Sequence, residues 1–113
     1  MRFMLLACLL LPPSPLFALS PEAQEFMAIT KELEPVQCEK RRLRREIALA
    51  EVEKRDGDVK ALRQKFVALD RNPNTSRLEK RLAQLEPRLS KSPDPEDLRA
   101  ISRQQVEAFY RCE

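Results

Sequence analysis

A chain of 113 residues allows one small domain. Its 21 basic and 18 acidic residues leave a net charge of +3, a mixture of signs that calls for no nucleic acid as partner. There is no histidine, so the commonest general base and the commonest transition-metal ligand are both missing, and most catalytic and zinc chemistries fall away.

Leu, Ala, Glu, Lys, Arg and Gln dominate, with a single glycine, so intrinsic propensities point to an all-α chain. The first 18 residues have the form of an export signal. Arg2 supplies the positive start, Phe3 to Leu11 the apolar stretch, and Ala18 the small residue at a cleavage point. Pro12-Pro13 interrupts the stretch far short of the roughly 20 apolar residues a membrane span needs. Leu5-Leu6-Ala7-Cys8 resembles a lipobox, but Cys8 sits too close to the start to leave a normal apolar region, which argues against a lipid anchor there. The expected organisation is therefore a signal peptide over 1–18, a single helical domain over 19–113, no transmembrane span after cleavage, and a periplasmic or secreted location.

Ser20-Pro21-Glu22 reads as a helix start, with Ser as cap, Pro at the first helical position and acid in the first turn. Phe26, Ile29 and Leu33 form its apolar face, and Pro35 is expected to break or kink it. From Val36 a long amphipathic helix is predicted with Cys38 at its head. Leu43, Ile47 and Ala50 lie on one stripe, and Val52, Val59, Leu62, Phe66 and Leu69 on a second in shifted phase. Asp56-Gly57-Asp58 reads as a turn or as a helical glycine. Residues 71–75 are the clearest loop, with Ser76 and Glu79 as a capping box after it. Leu78, Leu82, Leu85 and Leu89 then make a heptad-like, coiled-coil seam. Ser92-Pro93-Asp94-Pro95 interrupts, and Asp94 caps a last helix whose inward face is read as Leu98, Ile101, Gln105, Ala108, Phe109 and Cys112. Ser20-Pro21-Glu22 and Ser92-Pro93-Asp94 open similar stretches, an echo that capping rules produce without any duplication.

Beyond the signal two cysteines remain, Cys38 and Cys112. An even count in an exported chain favours a structural disulfide over a reactive thiol, since no C-x-x-C pair is present. An antiparallel register supports the pairing. Leu62 with Leu85, Phe66 with Leu82, Val59 with Leu89, Ala50 with Leu98 and Ile47 with Ile101 all face each other at a nearly constant sum of position numbers. This predicts a long helical hairpin, helix 36–70 against a broken helix 76–112, with a short N-terminal helix beside it. The alternative is four short helices running up-down-up-down. In both, the cysteines meet at one end. A core with few aromatics, in a chain of about 95 residues after cleavage, needs such a staple.

The run Lys40, Arg41, Arg42, Arg44 and Arg45 is the candidate anion-binding site, set against its reading as a solvated face offset by Glu34, Glu39, Glu46, Glu51 and Glu53. Glu51 with Glu53 and Asp94 with Asp97 imitate acid–base pairs but have no apolar pocket residues around them. Gly-rich phosphate loops and metal-ligand clusters are absent, so no cofactor is expected. The sequence thus predicts a small exported helical protein, non-enzymatic, with a protein partner in the bacterial envelope. The alternative is a module for an anionic surface or polymer using the Lys40–Arg45 cluster.

Overall fold

In the computed structural model, which describes residues 19–91 and 93–112, four helices follow one another: α1 Pro21–Val52, α2 Asp56–Arg71, α3 Pro73–Lys91 and α4 Pro95–Arg111. The proposed signal over 1–18, Cys8 included, lies outside the described residues.

Helix α1 is the spine. Ser20 caps it, its hydroxyl accepting from the Ala23 N–H at 3.1 Å, and Pro21 occupies the first helical position. The helix continues through Pro35, which lies on the exposed side. Ile29, Leu33, Lys40, Leu43 and Ala50 carry one buried stripe across the proline, and the burial of that stripe outweighs a missing N–H at a solvent-facing position.

The chain reverses at Glu53-Lys54-Arg55. Arg55 N–H donates to the Ala50 carbonyl at 2.9 Å and Lys54 N–H to the Glu51 carbonyl at 3.1 Å, the paired bonds of a Schellman ending, with Lys54 at φ 58°. Helix α2 then runs back along the second half of α1. Lys40 pairs with Asp70, and the Arg44 guanidinium lies 5.2 Å from the Phe66 ring centre.

Between α2 and α3 stands one residue, Asn72. Its side chain accepts from the N–H groups of Asn74 and Thr75 at 3.0 and 3.2 Å, so it caps α3, with Pro73 in the first turn. The chain does not reverse here. Helix α3 carries on in the direction of α2 along the first half of α1, where Leu78 and Leu85 close a core with Ile29 and Leu33, and Phe26 and Leu82 cover it. Leu43 and Leu85 are the largest fully buried side chains.

Helix α4 returns alongside the same half of α1, parallel to it. Asp97 bonds Ser20, Gln104 bonds the Met27 carbonyl and Arg111 bonds Glu34, each pair 77 residues apart. The molecule is therefore three helices thick around the first half of α1 and two thick around the second.

The all-helical class and the hairpin packing of a long helix hold, while the boundaries move. The long helix occupies 21–52 rather than 36–70, and Cys38 sits in its middle rather than at its head. The reversal falls at 53–55 and not at 71–75, because Asn72-Pro73 ends one helix and starts the next without a turn. Leu85 consequently packs with Ile29 and Leu33 instead of facing Leu62, and Leu78 joins the same cluster. Four helices are present as in the alternative, yet α2 and α3 run the same way, and Gly57 is helical with a negative φ.

Candidate functional site

Cys38 and Cys112 stand at disulfide distance, their Cα atoms 5.2 Å apart and 74 residues apart in sequence. Cys38 comes from the middle of α1 and Cys112 caps the C-terminus of α4, so the pair joins two parallel helices and not the open end of an antiparallel hairpin. Ser20 and Asp94, the residues that cap the two helices, are separated by the same 74 residues. Both helices thus start within a turn of each other and reach the cysteine pair after equal lengths.

Around this pair lies an open groove of about 750 Å³ whose walls include Pro35, Glu39, Arg41, Arg45 and Phe109. Arg41 crosses it. Its guanidinium stacks 4.2 Å from the centre of the Phe109 ring and donates at 3.1 Å to the Phe109 carbonyl, which also accepts from the Cys112 N–H at the end of α4. Arg111 reaches back to α1 and grips Glu34 through two bonds of 2.7 and 3.0 Å. Those bonds hold the Glu34 carboxyl below the ordinary carboxylate range and raise Arg111.

The predicted basic site does not stay whole. Lys40 points inward and is 7% exposed. Its ammonium bonds Asp70 of α2 and, at 3.2 Å, Glu79 of α3, tying three helices at the α2–α3 junction. Burial pulls its pKa down, but the hydrogen bonds and charges of the two carboxylates carry it above the usual lysine value. Arg42 is clamped between Glu39 and Glu46 on its own helix and raised by both. Arg44 lies over Phe66. Of the five residues, Arg41, Arg42 and Arg45 line the cysteine groove, Arg42 held by its glutamates, while Lys40 is buried and Arg44 faces the other way along α2, so the structure brings three of the five together.

The carboxylate pairs also have structural work. Glu51 meets Arg63 at 2.6 Å and Glu53 meets Arg55 at 2.7 Å. Asp94 accepts from the N–H groups of Glu96 and Asp97 at the start of α4, and Asp97 accepts from Ser20. Among the described residues no group of acidic and cysteine side chains is placed to hold a metal ion, and no helix is long and apolar enough to cross a membrane.

Two inward residues of α4 escaped the sequence reading. Asp97, 4% exposed, and Gln104 face α1, whereas Gln105 is exposed and Leu98 and Phe109 are about half exposed. The stripe is rotated by one residue because polar bonds to Ser20 and Met27, and not leucines, dock this helix; only Ile101 supplies a buried large apolar side chain from α4. The outward face left by that rotation carries Val106, Phe109 and Tyr110, 58%, 49% and 66% exposed, with the two rings edge to face at 5.4 Å. No protein-family model, curated protein or solved structure matches the chain.

Proposed function

We propose that this chain is a small exported helical protein of the bacterial envelope, without enzymatic activity, which offers the outer face of α4 to a protein partner. The observation that carries the reading is the trio Val106, Phe109 and Tyr110 at the end of α4 that also bears Cys112, about half exposed or more, with Arg41 covering one face of the Phe109 ring. Aromatic side chains of this kind supply large contact area at low entropic cost, and a helix pinned to α1 presents them without a further ordering penalty. Export is supported by the form of residues 1–18 and by a cysteine pair that an oxidising compartment would close.

The alternative, an anionic surface bound through Lys40–Arg45, has less behind it. Lys40 is internal, Arg42 is neutralised by two glutamates and Arg44 is turned to Phe66 of α2, which leaves Arg41, itself stacked on Phe109, and Arg45 beside the cysteine groove.

A photo-crosslinking residue at Tyr110, introduced into the protein in its native envelope, tests the proposal. One dominant protein adduct is expected, lost when Val106 and Phe109 are both replaced by Ser. Protein found in the cytosol with Met1 intact would overturn the export reading. Crosslinks that are diffuse and unchanged by the double substitution would overturn the docking face.

A further inference from the structure

Helix α3 separates its charges sharply. At 3.6 residues per turn, Arg77, Lys80, Arg81, Gln84, Arg88 and Lys91 fall within about 100° of its circumference. Leu78, Leu82, Leu85 and Leu89 occupy the side turned to α1, and the acids of the helix, Glu79 and Glu86, lie on the far flank, Glu79 engaged with Lys40. The basic side is unbroken over roughly 21 Å at 1.5 Å per residue. Arg71, at the end of α2, shares a groove with Arg77, Lys80 and Arg81 and lengthens the row.

Elsewhere in the described chain about half of the cations are in ion pairs, among them Lys40, Arg42, Arg55, Arg63 and Arg111. On this row Arg81 is held by Glu25 at 2.6 and 2.7 Å, and Arg77 donates to Asn74 at 2.7 Å. Lys80, Arg88 and Lys91 form no ion pair among the described residues. Like charges three and four residues apart work against a helix, and of this row only Arg81 is offset by an ion pair to α1.

We propose that this row is a docking edge for a linear polyanion without bases, a phosphate- or sulfate-bearing polymer chain. The row is one side chain or two wide, with the leucine side of α3 along one edge and Glu25 of α1 beside it, which suits a single extended chain better than a broad anionic plane. All the large apolar side chains of α3 point at least partly inward, so no wedge enters a lipid layer beside the cations. The helix has no aromatic residue on which a nucleobase could stack. This site is separate from the α4 face, and either can fail without the other.

The test measures binding of the protein to inorganic polyphosphate across a salt series. Parent protein binds, and its log affinity falls linearly with log salt. The fourfold variant Arg77→Gln, Lys80→Gln, Arg88→Gln, Lys91→Gln keeps its helix content and binds at least tenfold more weakly at about 50 mM salt, with a slope smaller by about three. A control, Arg41→Gln with Arg44→Gln and Arg45→Gln, binds within about twofold of the parent. If the fourfold variant does not fold, Lys80→Gln with Lys91→Gln shows about half the change in slope. Lack of binding by the parent, parent-like binding by the α3 variants, or an equal loss in the control would overturn the proposal. So would tighter binding to phosphatidylglycerol vesicles than to polyphosphate, which would make the partner a membrane surface.

Discussion

Asp97 accepts two hydrogen bonds from Ser20, one from its N–H at 3.0 Å and one from its hydroxyl at 2.6 Å, although the two residues lie 77 apart in sequence. The same hydroxyl caps α1 by accepting from Ala23, and Asp97 lies in the first turn of α4. A single carboxylate therefore fixes the start of both helices and sets their parallel register. Because Asp97 is 4% exposed, removing it leaves the Ser20 donors facing a site that water enters poorly. Asp97→Ala is expected to destabilise the fold by about 1–3 kcal/mol in urea unfolding. The double variant with Ser20→Ala should cost less than the two single changes together, with a coupling of at least about 0.5 kcal/mol. Additive losses would show that Asp97 acts through its own helix and not through Ser20.

The only glycine and the only left-handed residue of the described chain are three positions apart. Lys54, at φ 58°, takes the place that glycine usually holds after a helix, while Gly57 lies in the first turn of α2 with nothing within 4 Å of where a Cβ would stand. Gly57→Ala should stabilise by about 0.5–1 kcal/mol, and Lys54→Gly should stabilise as well by relieving the side chain of its left-handed backbone. Thermal melts of the two single variants and their combination check this. A destabilised Gly57→Ala would put the reversal back at Asp56-Gly57-Asp58.

Lys40 gives the fold an alkaline limit. Its pKa is raised in the folded chain above the ordinary 10.5, so its contribution is complete below that value and is lost as pH climbs through the folded value. Difference curves of stability against pH between the parent and Lys40→Met should therefore be flat from neutrality to about pH 10 and converge above it. At the acid side Glu25 and Glu34 are held below the usual 4.5 by hydrogen bonds to Arg81 and Arg111, and desolvation opposes both. Their contribution is present above 4.5 and fades as pH falls below it, so replacing both with Gln should flatten the acid limb.

Much of this was open to a reader of the sequence. The capping pattern of a polar residue followed by proline marked the starts of α1 and α4 at Ser20-Pro21 and Asp94-Pro95. It also stood at Asn72-Pro73, where the competing capping box from Ser76 to Glu79 drew the start of α3 four residues too late, and Glu79 turned out to serve Lys40. Lys40 could have been taken out of the basic run, since it falls on the stripe defined by Leu33 and Leu43. The parallel docking of α4 was harder to see. Periodicity reports which side of a helix is apolar and not which neighbour covers it, and here the docking side is mostly polar. The equal spacing of caps and cysteines was the one signal that named the neighbour.

The cysteine pair has a local consequence that an antiparallel staple would not have. Helix α4 is held to α1 by Asp97 at one end, Gln104 and Ile101 in the middle, and Arg111 with Cys112 at the other end. Helices α2 and α3 instead share the leucine core and the Lys40 junction with α1. Mass spectrometry of the unreduced protein should show the loss of two hydrogens and one linked pair of peptides containing Cys38 and Cys112. Replacing both with Ser should remove up to about 4 kcal/mol in the chain-entropy limit and lower the melting temperature by several degrees. The change should not be uniform. Hydrogen exchange in the Ser variant should accelerate most over residues 95–111, while amides around Leu33, Leu78 and Leu85 keep most of their protection. If exchange rose equally in α3 and α4, the bond would be stabilising the whole bundle through the unfolded chain and not holding α4 in place. If neither changed, the polar contacts from Asp97 to Arg111 would hold the helix without the bond.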